Sequence, residues 1–143
     1  MRDYSKILVC LDLSEGSERI AERAQCIAKR YGASLTLLHV VEYVPVEPMG
    51  EALLPTVQIE SELVDRARKR LAELAGKLAL SDARQLVETG GIKTEIIRTA
   101  QRLAVDLIVL GSRERHGLAI LLNFTEDTIL HAAPCDVLAV RLH

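Results

Sequence analysis

The residues that could do chemistry lie where short apolar runs give way to polar loops. Asp12 ends the run KILVCLD in the pattern Asp-x-Ser, and Gly111 ends the run DLIVLG before the polar stretch SRERHG. In an open parallel sheet, ligands bind outside the carboxyl ends of the strands. A phosphate bound there needs close backbone approach, which favours glycine, and free N–H groups at a helix start. The pattern predicts a crevice beside Asp12 and Gly111 that has only part of a phosphate-binding loop.

Asp12 has two interpretations, because its carboxylate could accept bonds from a base or sugar, or could cap the following helix and the loop amides. His39 lies inside an apolar run and is expected to be a satisfied core or crevice-edge residue, whereas His116 follows Gly111 and could contact a ligand. No histidine spacing matches a zinc motif, and there is neither a nucleophile elbow nor a Gly-x-x-x-x-Gly-Lys-Ser/Thr loop. The residues therefore predict no catalytic set and no metal site.

The cysteines do not suggest disulfide chemistry. The chain has 3 of them, far apart in sequence and without a C-x-x-C pair, which favours a reducing compartment. Cys10 and Cys26 occupy apolar positions and are expected to be small core residues. Cys135 follows Pro134 and is the one cysteine that could react.

Length and charge limit the class of protein. A chain of 143 residues suits one domain over residues 1–143, with a core large enough to need no disulfide or metal. A net charge of −2 and 3% aromatic residues without tryptophan make nucleic acid and anionic membranes poor partners. No apolar run approaches the roughly 18 residues of a membrane span, and no secretory signal is recognised. We expect a cytoplasmic protein.

Apolar patterning predicts the elements that position the crevice. Continuous branched runs indicate strands buried on both faces of a parallel sheet. Strands are predicted at 6–12, 35–41, 84–88, 107–110 and 137–141. The first predicted helix runs from a cap at Ser14 or Ser17 to Tyr31, and further helices are predicted at 57–80, at 92–103 and before the last strand. This alternation predicts an α/β fold, a single doubly wound domain with a five-stranded parallel sheet and about four helices. The proline-containing stretch from Glu42 to Thr56 is expected to be a loop, which is either functional or a solvated tether. The mostly basic run 65–70 is expected to form a solvated face of its helix.

Five segments in order carry a resemblance to a known family. KILVCLDLSEGS, LTLLHVVE, the GG turn, VDLIVLGSRERHGL and HAAPCDVLAVR together resemble the universal stress protein family over essentially the whole chain. The resemblance implies a fold of the adenine-nucleotide alpha hydrolase type, with strand order 3-2-1-4-5. It also implies cytoplasmic homodimers, often paired through the last strand, and a role in stress tolerance without one agreed chemical activity.

Some family members bind ATP through a loop of the form Gly, two residues, Gly, nine residues, Gly, Ser or Thr. Carried onto this chain, the first glycine is Gly111 and the second position holds Glu114. The third position falls on Phe124, followed by Thr125, or on Asn123 if the loop is one residue shorter. On either count the second and third glycines are missing.

The side chains of this loop also disfavour a triphosphate. Asn123 and Glu126 form a capping pair, which satisfies the helix start that would otherwise meet a phosphate. Several carboxylates, Glu126 among them, would repel a triphosphate by more than the roughly 0.3–1 kcal/mol that a helix terminus offers an anion. Arg113 and Arg115 could supply counter-charge. We expect no tight ATP binding.

The resemblance leaves a weaker nucleotide site open. Asp12, Val40 and Gly111 resemble positions that contact nucleotide in the binding members, and they could hold an adenosine-like ligand or simply shape the fold. The predicted function is a homodimeric stress-response module that acts with unknown protein partners and requires no cofactor. The predicted dimer edge comprises Val137, Leu138, Ala139, Val140 and Arg141.

Two alternatives remain from the residues. One is a switch that binds ATP or AMP at this crevice, helped by Ser112, Arg113, Arg115, Asn123 and Thr125. The other is a weak nucleotide phosphohydrolase that uses Asp12 or His116 with a metal ion.

Overall fold

A computed structural model describes residues 3–42, 53–113 and 129–142, of which residues 53–58 and 113 are described by their backbone only. The strands are β1 (Lys6–Cys10), β2 (Ser34–Val41), β3 (Arg84–Thr89), β4 (Leu107–Arg113) and β5 (Asp136–Leu142). They form one parallel sheet in the order β3-β2-β1-β4-β5. The predicted sheet and its strand order are confirmed.

Helices cover both faces of this sheet. They are α1 (Ser17–Tyr31), α2 (Leu53–Lys77) and α3 (Ile92–Leu103), and residues 129–132 are helical as well. One core cluster joins α1 and α2 to one face, and a second joins α3 and Ile129 to the other. Along β1, Ile7 and Val9 point to the first cluster while Leu8 points to the second. This double burial explains why the strands are continuous apolar runs instead of alternating ones.

Helix α1 begins without the predicted serine cap. Gly16 occupies the N-cap position and no side chain caps the helix. Ser17 is already inside the first turn, 2% exposed, and its hydroxyl donates to Asp12 instead. The far end of α1 follows the prediction, since Gly32 adopts φ 67° and its N–H donates to the Ala28 carbonyl.

Helix α2 begins earlier than predicted, at Leu53, and ends earlier, at Lys77. Residues 53–56 are therefore helical, which corrects part of the predicted loop; residues 43–52 lie outside the described residues. The start is compatible with Pro55, because the first turn of a helix does not need the N–H that proline lacks.

Strand β4 is longer than predicted and corrects the break expected at Gly111. The strand continues to Arg113, and its last three residues pair with Val140, Arg141 and Leu142 of β5. A neighbouring strand thus supplies the hydrogen-bond partners that keep a polar stretch extended. Strand β1 is shorter than predicted and ends at Cys10, although the Leu11 N–H still donates to the Leu38 carbonyl at 2.9 Å.

The structure corrects the expectation for Cys26 and bears on the one for Cys135. Cys26 is exposed, because it lies on the side of α1 that faces away from the core. Burial, with help from the Asp136 carboxylate, raises the pKa of the Cys135 thiol, which disfavours the reactive thiolate. Cys10 packs against the second core cluster as expected, and burial raises its pKa to about 12.

Candidate functional site

The candidate crevice lies where the chain reverses its order across the sheet. From β1 the chain runs through α1 to β2 on one side, whereas β4 joins β1 from the other side after α3. β1 and β4 are therefore neighbours at the point where the strand order reverses, and open α/β sheets bind ligands at the carboxyl edge beside such a point. The predicted location of the site is consistent with this topology.

Two strand registers bear on the predicted positions. Cys10 pairs with Leu38 of β2, and Val9 pairs with Val109 of β4. Val40 and Ser112 lie farther along those strands in the same direction, and Asp12 follows the end of β1. All three positions therefore lie toward the carboxyl edge of the sheet, although they are far apart in the chain.

Asp12 organises the loop after β1. Its Oδ1 accepts hydrogen bonds from the Ser14 N–H at 2.9 Å, the Ser14 hydroxyl at 2.6 Å and the Ser17 hydroxyl at 3.3 Å. This is the arrangement of an Asx turn, in which an aspartate side chain stands in for a backbone acceptor. The structure thus supports the loop-capping interpretation of Asp12, while the side chain remains exposed at the crevice.

Two further contacts hold the same loop, and sequence reasoning missed one of them. Leu13 adopts φ 63°, a left-handed conformation that is uncommon for leucine, and its carbonyl accepts a hydrogen bond from the Arg70 guanidinium of α2. Arg70 is exposed, as predicted for the basic run, and this hydrogen bond is a further role of its side chain. His39 is half-buried, as expected, and its Nδ1–H donates to the Leu11 carbonyl at 2.7 Å. No sequence signal marks Arg70, because its partner lies 57 positions away.

Val40 and Gly111 are built into the core. Val40 is 9% exposed and belongs to the cluster on the α3 face. A Cβ atom at Gly111 would lie 2.6 Å from Ile20 Cδ1 and 2.9 Å from Leu142 Cδ1, closer than real contacts allow. The glycine thus makes room for α1 and β5, which is a structural reason for its presence.

The remaining predicted loop residues are only partly described. Ser112 is half-buried in β4, and the backbone of Arg113 pairs with Leu142. The predictions for Glu114, Arg115, His116, Asn123, Phe124, Thr125, Glu126 and Asp127 lie outside the described residues.

In the described part of the predicted crevice, the Asp12 carboxylate lies on a loop that several hydrogen bonds fix in place. Within residues 3–42, 53–113 and 129–142, no three His, Cys, Asp or Glu side chains gather as metal ligands would. Among the same residues, no helix combines the length and apolar character of a membrane span. The described geometry can accept hydrogen bonds from a ligand at Asp12, whose Oδ1 already accepts from the Ser14 and Ser17 hydroxyls.

The outer edge of the sheet is the second candidate site. Strand β5 is last in the order, as predicted, and its residues Ala139 and Arg141 are exposed while Val137 and Leu138 are half-buried. Val140 is 6% exposed and packs in the core, so at the predicted dimer edge it contributes its main chain and not its side chain. At the edge of the sheet, β5 therefore presents its main-chain groups and the side chains of Val137, Leu138, Ala139 and Arg141.

Comparison with known proteins gives consistent matches over the full length. A model of the universal stress protein family matches residues 3–141. Universal stress protein A homolog 2 of Coxiella burnetii is 39% identical over 143 residues, covering 99% of this chain and 98% of that protein.

Solved structures show the same fold. The universal stress protein UspA from Lactobacillus plantarum superposes with a TM-score of 0.75 at 27% identity, covering 99% of this chain and 100% of that one. A universal stress protein in complex with cAMP has a TM-score of 0.65 at 22% identity, covering 97% of this chain and 98% of the other.

Proposed function

The chain belongs to the universal stress protein family, and from that premise we propose that it is a cytoplasmic homodimeric stress-response module that neither binds ATP tightly nor catalyses a reaction. The observation that carries the proposal is that the protein's own side chains use the crevice positions. The space above Gly111 is filled by Ile20 and Leu142, and Asp12 Oδ1 is engaged by two serines. The sequence also lacks the second and third glycines of the ATP loop.

The first expected result concerns copurified nucleotide. Acid denaturation of the purified protein, followed by anion-exchange chromatography of the supernatant, should yield far less than one adenine nucleotide per chain. Titration calorimetry with ATP and magnesium should then show no heat beyond dilution. The control is the same protein spiked with one equivalent of ATP before denaturation, which must return that equivalent.

A weaker nucleotide site is the second candidate, favoured by the cAMP complex of a protein with this fold. Asp12 remains exposed after the end of β1, where it could accept bonds from an adenosine-like ligand. Recovery of stoichiometric ATP or AMP from the acid supernatant would contradict the main proposal and establish this one.

The dimer part of the proposal is supported by the exposed edge of β5. An edge strand presents unpaired main-chain groups, and pairing it with a second copy across a two-fold axis removes that liability. The edge is not blunted by a proline, and it contains the small exposed residue Ala139 at its middle. An antiparallel β5–β5 pair would join two five-stranded sheets into one.

Ala139→Lys should convert the dimer to a monomer. A lysine on each copy would bring like charges together at the paired edge, and edge lysines are a common means of preventing strand pairing. Light scattering should report the chain mass of 15.8 kDa for this variant and twice that mass for the parent protein.

The matched control is Ala72→Lys, which makes the same exchange at an exposed position of α2. This variant should stay dimeric. If Ala139→Lys also stays dimeric, the β5 edge is not the interface, whereas a monomeric parent protein would contradict the dimer itself.

A further inference from the structure

A concave surface also lies beside α1, away from the loop that follows β1. It is a groove of about 450 Å³ between α1 and β5. Its lining comprises Arg19, Arg23, Cys26, Ile27, Arg30, Leu138, Ala139, Val140 and Arg141. We call it the arginine groove.

The wall of the arginine groove follows from the spacing of residues along α1. Arg19, Arg23, Ile27 and Arg30 stand four, four and three positions apart, so they share one face of the helix. The core stripe of α1, which includes Ile20 and Ala24, is turned toward the sheet. The arginines therefore stand on the flank of α1 that overlooks β5.

The groove concentrates positive charge on a chain whose net charge is −2. Its lining contains four arginines and no carboxylate. Among the described residues, the ion pairs use Arg68, Lys77, Arg98 and Arg102, and Arg19, Arg23 and Arg30 take no part in them. Planar guanidinium groups in this number favour carboxylates or phosphates as ligands.

The floor of the groove is apolar and runs along a strand. Ile27 and Leu138 are half-buried hydrophobic residues that pack on the first core cluster. Ala139 points to the opposite face from Leu138, so its place in the lining shows that the groove also reaches the β5 main chain. A ligand that fits must combine negative charge with apolar groups and an extended shape.

We propose that the arginine groove binds an extended acidic segment of a partner protein in which acidic and apolar residues alternate. Alternate side chains of an extended segment point in opposite directions, so the apolar set meets Ile27 and Leu138 while the acidic set meets the arginines. This assigns a chemical class to the partner. The groove shares Leu138, Ala139, Val140 and Arg141 with the predicted dimer edge, so peptide binding and chain mass are measured on the same variants.

Other occupants fit less well. A second copy would bring its own arginines toward the groove, and its β5 carries one acidic residue, Asp136. An oligophosphate would satisfy the arginines and leave the apolar floor uncovered. The second copy is therefore assigned to the outer main chain of β5, and the acidic segment to the space beside α1.

The test uses a fluorescent peptide of four Glu-Leu repeats, with fluorescence anisotropy as the readout. The parent protein should bind it, with affinity that falls as salt is raised. The double variant Arg19→Gln, Arg23→Gln should weaken binding by about fivefold to tenfold, as expected for the loss of two partly exposed charge pairs. The matched control Arg66→Gln, Lys69→Gln removes the same charge from exposed positions of α2 and should bind like the parent.

Two peptide controls separate the contributions. Four Gln-Leu repeats test the need for charge, and four Glu-Ser repeats test the need for apolar residues; both should bind more weakly than Glu-Leu. The proposal is overturned if the parent protein does not bind Glu-Leu, if both double variants weaken binding equally, or if Glu-Ser and tripolyphosphate bind as well as Glu-Leu. Light scattering of the two double variants separates this proposal from the dimer, because Arg19, Arg23, Arg66 and Lys69 lie outside β5. Weaker peptide binding with an unchanged mass concerns the groove and not the dimer.

Discussion

Gly111→Ala should lower the free energy of unfolding by about 1–3 kcal/mol, as overpacking of a core does. The added methyl group would lie 2.6 Å from Ile20 Cδ1 and 2.9 Å from Leu142 Cδ1. Both side chains are buried, at 3% and 7% exposure, so neither can turn into solvent to make room. Urea denaturation followed by circular dichroism measures the loss.

Two further variants identify the cause. Ile20→Val removes the Cδ1 atom that the methyl group would meet, so adding it to Gly111→Ala should cost less than the sum of the single variants. Gly76→Ala, in the last turn of α2 with its nearest atom 3.9 Å from the added Cβ, should be neutral or stabilise by up to about 1 kcal/mol. If Gly111→Ala is as harmless as Gly76→Ala but abolishes nucleotide binding, the glycine serves a ligand and the packing explanation is wrong.

Asp12→Ala should lower the free energy of unfolding by about 1–2 kcal/mol. The substitution removes the acceptor of three hydrogen bonds in the loop after β1. Water can replace it at exposed Ser14, but Ser17 is 2% exposed and its hydroxyl would lose its partner in a buried position. The same urea titration reports this loss, and no change in stability would show that the loop does not depend on Asp12.

Asp12→Asn is the matched variant, because the amide keeps an oxygen that can accept the same bonds. It should retain most of the stability that Asp12→Ala loses, and it is therefore suited to a functional test. A metal-dependent phosphohydrolase that uses the Asp12 carboxylate would release phosphate from ATP in the parent protein and not in Asp12→Asn. We expect no release from either protein, and release that disappears in Asp12→Asn would contradict a role without catalysis.

Local sequence patterns predicted the helices and strands correctly wherever burial of one face of a helix, or of both faces of a strand, requires apolar residues. The bounds of α3 and the glycine that ends α1 agree with the structure, and the five strands lie where branched apolar runs predicted them. The strand order was supplied by the family resemblance, since periodicity alone does not say which strands are neighbours. Boundaries were less accurate where the chain itself gives no apolar signal, as in the polar end of β4 and the proline-containing start of α2.

The sequence by itself determined the class of fold and, through the family resemblance, the departure from the ATP loop, and it predicted a crevice at the carboxyl end of the sheet. These follow from local patterns, because apolar runs, helix stops and motif spacing lie within short stretches of chain. Only the tertiary structure decided why Gly111 must lack a side chain, that Arg70 holds the Leu13 carbonyl, and that the arginines of α1 face β5. Each of these depends on residues distant in sequence that come together only when α1, α2 and β5 pack against one sheet.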